Sequence, residues 1–344
     1  MIHIDGSEGE GGGQVLRTSL SLSLITGRPF RIEKIRAGRS RPGVLRQHAT
    51  AVEAACAIGG AECEELAVGA TELSFTPGKV TPGEHRFAVG TAGSTSLVLQ
   101  TLLPALMLAD GPSLLVLEGG THNPSAPPFD FLDRSFLPLL RRMGPKVSAR
   151  LARHGFYPAG GGRIEVDIEP VDRLEQIDLL DRGALKRVEA RALVAALPGE
   201  IAVRELAVVE KTLGWPEEAR RIEQLAERIG PGNVLMLEAE FEAVTEIATG
   251  FGQFGVLAEA VAGKAAKRMR GFLGSKAAVG PYLADQLLLP FALAGGGSFT
   301  TVKPSQHTRT NASIIARFLD VSIEIDEREE GCWLVTVGAG AGGA

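Results

Sequence analysis

Cysteine is scarce: Cys56, Cys63 and Cys332 are the only three in 344 residues, and no two form a CxxC pair. An odd count without paired spacing points to neither a disulfide framework nor a structural zinc site, and predicts reduced, buried thiols. A secretory signal is missing too, because Met1 is followed by His3, Asp5 and Glu8 rather than by a basic segment and an apolar core. The longest apolar runs, around 97–108 and 287–293, are too short or too interrupted to span a bilayer. These absences give the expectation of a cytoplasmic protein with no membrane partner. No GxxxxGK[ST] occurs, which excludes a P-loop nucleotide site.

Acidic residues are absent from two whole stretches. Between Lys34 and Val52 there is none, while Lys34, Arg36, Arg39, Arg41 and Arg46 are basic; between Arg134 and Ile164 there is again none. The net charge of −5 argues against a protein that coats nucleic acid through its overall field, so local clusters matter more than the sum. In the first stretch the arginines alternate with the helix breakers Gly38, Pro42 and Gly43, which suggests a loop presenting several guanidinium groups to one anion. The second stretch reads equally well as a solvated face.

A hydrophobic content of 44% with 22% charged residues describes a globular chain long enough for one large core or two ordinary ones. One pattern recurs along it. Gly13-Gln14-Val15-Leu16 opens an apolar helix ending at Thr26-Gly27, Gly93-Ser94-Thr95-Ser96 opens another, and Gly280-Pro281-Tyr282-Leu283 a third. Each leads into a strand (Phe30 to Ile35, Ser113 to Leu117, Phe299 to Val302) and then a second helix (Val44 to Ile58, Phe129 to Met143, Ala312 to Leu319). Two strands or a hairpin close each unit, as in Glu72 to Phe75 with Arg86 to Val89, and Arg163 to Ile168. The step from Gly13 to Gly93 is 80 residues and that from Gly93 to Gly280 is 187, so the third unit is delayed by about one small domain.

The expected fold class is therefore α/β (α+β): three repeated units form a large domain over 1–183 and 277–338, with a smaller α/β domain inserted at 184–276. Within the insert, the pattern suggests strand 188–197, helices 201–213 and 216–228, strands 234–243 and 245–250, and a basic helix 256–272. The GAGAGGA tail formally matches GxGxxG, but no helix follows it, so 339–344 is expected to fray.

Two segments carry chemistry. Lys303-Pro304-Ser305-Gln306-His307-Thr308-Arg309-Thr310-Asn311 sets one histidine among hydroxyl, amide and guanidinium groups where a helix is expected to start, with Thr310 or Asn311 as its N-cap. A helix N-terminus favours anions, and a neutral imidazole is a competent nucleophile toward phosphorus; alternatively His307 only caps a turn. Between Asp5 and Arg17 the chain has five glycines, which implies close backbone approach to something. Glu10 in this loop suits a hard divalent cation bridging phosphate oxygens, and Arg17 follows one turn into the helix.

GEGGGQVLR, IRAGRSRPGVLRQH, GTAGSTSLVLQTLLP, GGTHNPSAPP, RHGFYPAGGG and the pairing of GPYLADQ with the His307 segment together resemble the RNA 3′-terminal phosphate cyclases over nearly the whole chain. RHGFYPAGGG is that family's signature. The resemblance implies three units, each of two helices over a four-stranded sheet, with an inserted smaller domain. It also implies an ATP-dependent ligase that converts an RNA 3′-terminal phosphate to a 2′,3′-cyclic phosphate through a histidine–AMP and an RNA-adenylate. By the same resemblance His307 is the nucleophile, acting through Nε2, and Glu10 holds Mg²⁺ or Mn²⁺. Arg17, Arg36, Arg39 and Gln47 match contacts to ATP phosphates or the RNA end, and Gln100 lies near the reacting phosphate. Pro127 and Tyr282 sandwich adenine, with Asp285 one turn further on. His48 either contacts the RNA phosphate or is structural, and His154 serves the turn at Pro158 to Gly162. Gln306 stands where some relatives have cysteine. The expected partner is RNA with a 3′-terminal phosphate, and a dimer is open. A non-catalytic RNA or ribosome-assembly binder on the same fold is the alternative, against which His307, Glu10 and Arg17 together argue. An enolpyruvyl transferase fits less well, because its six-fold repetition of a smaller unit does not match three interrupted copies.

Overall fold

The computed structural model describes residues 1–63, 66–226 and 229–340. The described residues form a mixed α/β structure with four four-stranded sheets. The first is built from β1 (Ile2–Asp5), α1 (Gly13–Thr26), β2 (Phe30–Glu33), α2 (Arg46–Gly59), β3 (Glu62–Cys63) and β4 (Leu73–Thr76), in the order β1-β2-β4-β3. The second uses β5 (Gly83–Ala88), α3 (Thr95–Leu106), β6 (Ser113–Gly119), α4 (Phe129–Phe131), α5 (Leu137–Arg142), β7 (Lys146–Arg153) and β8 (Gly162–Glu169), in the order β5-β6-β8-β7. A π-turn, Leu132–Phe136, joins α4 to α5.

After β9 (Asp178–Leu179) the chain leaves for a separate sheet made of β10 (Leu185–Ala195), α6 (Glu200–Leu213), β11 (Arg220–Leu225), β12 (Gly232–Phe241), β13 (Thr245–Phe251) and α7 (Ala258–Leu273), ordered β11-β10-β12-β13. It then returns through α8 (Pro281–Leu293), β14 (Gly297–Thr301), α9 (Gln306–Phe318), β15 (Val321–Glu329) and β16 (Cys332–Ala339), which complete a sheet ordered β9-β14-β16-β15. All four sheets have a parallel edge pair followed by two antiparallel pairings, but in the first, second and last the strands lie in the chain order first-second-fourth-third, so these three share one connectivity that the sheet β11-β10-β12-β13 lacks.

Helix α1 is the hub. Its contacts run to α2, α3 and α9, and every residue from Thr18 to Leu24 is buried. The alternation Ser19-Leu20-Ser21-Leu22-Ser23-Leu24 would suit a strand, but a central helix needs no polar face. The serines are satisfied by carbonyls: Ser19 donates to Val15 O at 2.7 Å, Ser21 to Thr101 O at 2.7 Å and Ser23 to Arg28 O at 2.7 Å. Buried hydroxyls bonded in this way escape the cost of unmet desolvation.

Four expectations are corrected. Cys56 and Cys63 are joined by a disulfide, while Cys332 is free and buried; α2 ends at Gly59, and Gly60 at φ 49° turns the chain back so that β3 returns along the last helical turn. Strands β4 and β5 do not close one unit together: β4 pairs with β2 and β3, whereas β5 pairs in parallel with β6 in the next sheet. The helix expected over 216–228 is a short 3₁₀ turn, Glu217–Ala219, followed by β11, because pairing with the long strand β10 outweighs local propensity; 227 and 228 lie outside the described residues. Finally, β16 continues through Ala339, which pairs with Val321, so the tail begins later than expected; 341–344 lie outside the described residues.

Candidate active site

The site forms where the first turns of α1, α2 and α9 meet. Helix α9 starts at Gln306, not at Thr310 or Asn311: Ser305 is the N-cap, its Oγ accepting from Thr308 N at 3.2 Å. His307 therefore lies inside the first turn. Asn311 is free for another task, donating to the Asp285 carbonyl on α8 at 3.0 Å and accepting from Thr18 at 2.8 Å.

The glycine loop explains how Glu10 arrives. Gly9 has φ 60°, and a Cβ there would collide with the Thr310 hydroxyl. Without side chains in the way, the loop lies against α9, and Glu10 N donates to Thr310 Oγ1 at 3.3 Å. The Glu10 carboxylate then meets His307 Nε2 through one oxygen and the Arg39 guanidinium through the other.

The other imidazole nitrogen is held from the opposite side. His307 Nδ1 donates to Gln14 Oε1 at 3.0 Å, and Gln14 Nε2 donates to Asp285 Oδ1 at 2.6 Å. A carbonyl oxygen can only accept, so Gln14 keeps a proton on Nδ1. The nitrogen facing Glu10 is then the one whose lone pair is available when that carboxylate turns elsewhere. Burial pushes the Asp285 carboxyl above its ordinary range, against the Gln14 hydrogen bond and the charges of His307 and Arg17.

Arg17 lines a cavity of about 70 Å³ together with Gln14, Gln100 and Asp285. Its guanidinium donates no hydrogen bond to a described residue, and burial lowers its pKa to about 10. A half-buried cation without a hydrogen-bonding partner is a place for an anion. His48 sits beside it: the Nδ1 atom accepts from Leu45 N at 3.1 Å, and the ring edge lies where a Cβ on Gly13 would collide with Nε2. Burial first, then Arg17 and Arg36, push His48 down to about 3, so it is neutral and caps α2 while presenting an Nε2–H.

The structure thus brings together Glu10, Arg17, Arg39, His48, Gln100, Asp285 and His307. Arg36, at φ 57°, donates through Nη1 to the carbonyls of Arg41 at 2.7 Å and Gly43 at 2.6 Å, bracing its own loop, while its charge still reaches His48. Gln47 faces a second cavity, where its Oε1 accepts from Ser94 N at 3.2 Å. Tyr282 is exposed near the start of α8, with the Arg268 guanidinium 5.8 Å from its ring centre, and Pro127 is partly buried in the loop before α4; neither lines either cavity. His154 does not serve the turn alone, since it stacks on His122 at 5.2 Å.

Gln14, Thr18 and Asn311 escaped sequence reasoning. The spacing of Gln14, Arg17 and Thr18 puts all three on one face of α1, which is the signal that could have found the first two. Asn311 looked like a cap because asparagine often is one.

Comparison with known proteins adds an independent line. A family model described as RNA 3′-terminal phosphate cyclase matches residues 8–325. The chain is 57% identical over 332 residues to the RNA 3′-terminal phosphate cyclase of Koribacter versatilis, covering 96% of this chain and 93% of that one. It is 53% identical over 329 residues to the protein of the same name from Ectopseudomonas mendocina, covering 96% of each, and 48% identical over 330 residues to that of Salmonella agona, covering 96% and 95%.

Proposed function

Since the chain belongs to the RNA 3′-terminal phosphate cyclase family, we propose that it uses ATP to close an RNA 3′-terminal phosphate into a 2′,3′-cyclic phosphate through a covalent His307–AMP. The observation that carries this reading is His307 held between Glu10 and Gln14 near the guanidinium of Arg17, which donates no hydrogen bond to a described residue.

His307 Nε2 attacks the α-phosphorus of ATP, the N–P bond forms, and pyrophosphate leaves. The Nδ1 proton stays on the ring, where Gln14 accepts it as a hydrogen bond and Asp285 orients Gln14. An oxygen of the RNA phosphate then takes the AMP, which breaks the N–P bond and frees the histidine. The neighbouring 2′-hydroxyl attacks the activated phosphate, loses its proton and expels AMP. A terminal phosphate is a poor electrophile until it carries this leaving group, and the hydroxyl is already held at high effective molarity. Arg17 and Arg39 offer guanidinium groups to the phosphate oxygens, and Gln100 lies on the wall beside Arg17.

Among the described residues no cluster of three His, Cys, Asp or Glu side chains exists that could hold a metal. One carboxylate nevertheless fits Mg²⁺ or Mn²⁺, ions that keep much of their shell in water and substrate phosphates. Glu10 would hold such an ion, which when bound neutralises charge on the triphosphate. His307 Nε2 is free to attack only when Glu10 faces another partner.

The three sheets of equal connectivity, with two helical segments each when α4, the π-turn and α5 are counted as one, are three copies of one unit, and the sheet of β10 to β13 belongs to a domain inserted over about 184–276. No described helix is long and apolar enough to cross a membrane.

Incubation with α-labelled ATP and a divalent cation tests the proposal. Wild-type protein should acquire an acid-labile, hydroxylamine-stable label, and His307→Ala should acquire none. Undiminished labelling of His307→Ala would overturn the nucleophile assignment.

A further inference from the structure

Three motifs have no part in adenylyl transfer as described: Thr91 to Ser94, Asn123 to Ala126, and Tyr157-Pro158 within RHGFYPAGGG. They converge. With Gln47 they wall a cavity of about 390 Å³ where the first turns of α2 and α3 meet, a volume in the range of small-molecule sites. None of the lining residues carries a charge, so the cavity suits a neutral group rather than a phosphate.

The walls are held rigidly. Gly160, at φ 69°, seats the signature turn on the backbone of Thr91 and Ala92, where a Cβ would come within 2.9 Å of Ala92 Cα. That contact delivers Tyr157 to the cavity with 67% of its surface exposed. Ser125 on the facing loop lies at φ 63°, a conformation that costs a non-glycine residue energy and must be held by its surroundings. Asn123 is only 7% exposed; its Nδ2 is fixed on the Ala92 carbonyl and its Oδ1 has no partner among the described residues.

The cavity and the active site share the first turn of α2. Gln47 turns toward Ser94 and the cavity, while the next residue, His48, turns toward Gly13 and Arg17. Of the residues matched to ATP phosphates or the RNA end, Gln47 lines this cavity, whereas Arg17, Arg36 and Arg39 do not.

We infer that this cavity receives the terminal nucleoside of the RNA, its base stacked on Tyr157 and its sugar facing Gln47 and Asn123; the inference rests on the cyclase reading. An aromatic face accepts any base, so the subsite selects for a nucleoside at the end without selecting which one.

Two oligonucleotides test it, both 3′-phosphorylated and identical except that one has an abasic terminal ribose, which keeps the 2′-hydroxyl. Single-turnover cyclisation is followed from pre-adenylylated enzyme at subsaturating RNA. With wild-type protein the abasic substrate should react about tenfold more slowly. Tyr157→Ala should slow the intact substrate by a similar factor but the abasic one hardly at all, and Tyr157→Phe should restore discrimination, since the ring and not the hydroxyl is used. Labelling by ATP alone should stay at the wild-type rate. Independent, multiplying effects of the two changes would overturn the proposal, as would loss of ATP labelling in Tyr157→Ala, which would give the cavity to the nucleotide. Binding of the two oligonucleotides to unlabelled protein, read by fluorescence anisotropy, separates this inference from the cyclase reading. Equal affinities in a protein that does take up label sink the subsite alone, whereas a wild-type protein that takes up no label sinks the reading beneath it.

Discussion

His307 and His122 each meet a carboxylate, Glu10 in one case and Asp130 in the other, but the surroundings of the two pairs differ. The His307 side chain is 43% exposed, its carboxylate is shared with Arg39, and the Arg17 guanidinium nearby has no hydrogen-bonding partner among the described residues. The His122 side chain is 0% exposed: it donates through Nε2 to Asp130 at 2.9 Å, takes a hydrogen bond from Thr121, and stacks on His154 and Phe156. Asp130 in turn pairs with Arg191 on β10, and Phe156 lies where a Cβ on Gly232 of β12 would collide with its ring. One pair is open and lies near a guanidinium with no hydrogen-bonding partner among the described residues; the other is closed and fastens the signature segment to the neighbouring sheet. The first arrangement suits chemistry and the second cohesion, although each sets a histidine beside a carboxylate.

The largest effect should come from exchanging the carboxylates for amides. Glu10→Gln should reduce the rate of protein labelling at saturating ATP by a hundredfold or so and flatten its dependence on divalent cation, with little change in unfolding midpoint, because a partly exposed ion pair contributes about 1 kcal/mol or less. Asp130→Asn should do the reverse. Labelling should stay within a few-fold, while stability falls on the order of 3 kcal/mol, since the desolvated Arg191 loses a partner. Equal effects of the two substitutions on labelling would erase the distinction between the pairs.

A smaller effect is expected at Gln14. Removing it as Gln14→Ala leaves Nδ1 of His307 and the carboxyl of Asp285 without their shared partner, which should lower the labelling rate roughly tenfold to a hundredfold, by analogy with residues that orient metal-bound histidines. The half-saturating ATP concentration should hardly move, because Gln14 would act on His307, the proposed nucleophile. A variant with an unchanged rate would make the Gln14 bridge incidental.

The smallest effect for each step of the titrated variable is on the pH dependence of stability. His48, His122 and His154 are pushed down from 6.5 to about 3, about 3 and about 4, in each case mainly by burial. As pH falls below 6.5 the unfolded chain takes up these protons before the folded one, so each group withdraws stability down to its folded value. Glu205 and Glu246, raised by burial to about 7, act in the opposite sense: what they contribute is full below 4.5 and is lost as pH rises toward 7. Comparing wild type with His122→Leu cancels the glutamates. Relative to the variant, wild type should lose up to about 1.4 kcal/mol per pH unit below 6.5, measured by denaturant unfolding. A constant gap would mean that His122 titrates alike in both states.

Much of the frame was legible in the residues. Glycine followed by an apolar run marked the starts of α1, α3 and α8 to within a few residues, since a close turn and a helix period are local properties. The stretch 216–228 misled because its propensity was helical while β10 offered an edge to pair with. Cys56 and Cys63 misled because count and spacing carry no information about where a helix end returns to a strand.

Glu10, Arg17 and His307 could be singled out from sequence, because a carboxylate, a guanidinium and an imidazole in glycine-rich or capping segments have few other uses. That Gln14 lies between His307 and Asp285 could not, because those residues are separated by 293 and 271 positions and an amide is chemically unremarkable until both its ends have partners. Arg36 carries a second task that its type and setting did not announce: on a backbone turn at positive φ, its Nη1 braces the loop through two carbonyls. Residue identity determined which chemistry was available. Which atoms face each other was decided only when α1, α2 and α9 packed their first turns together, because direction and burial are properties of the assembled fold and of no single segment.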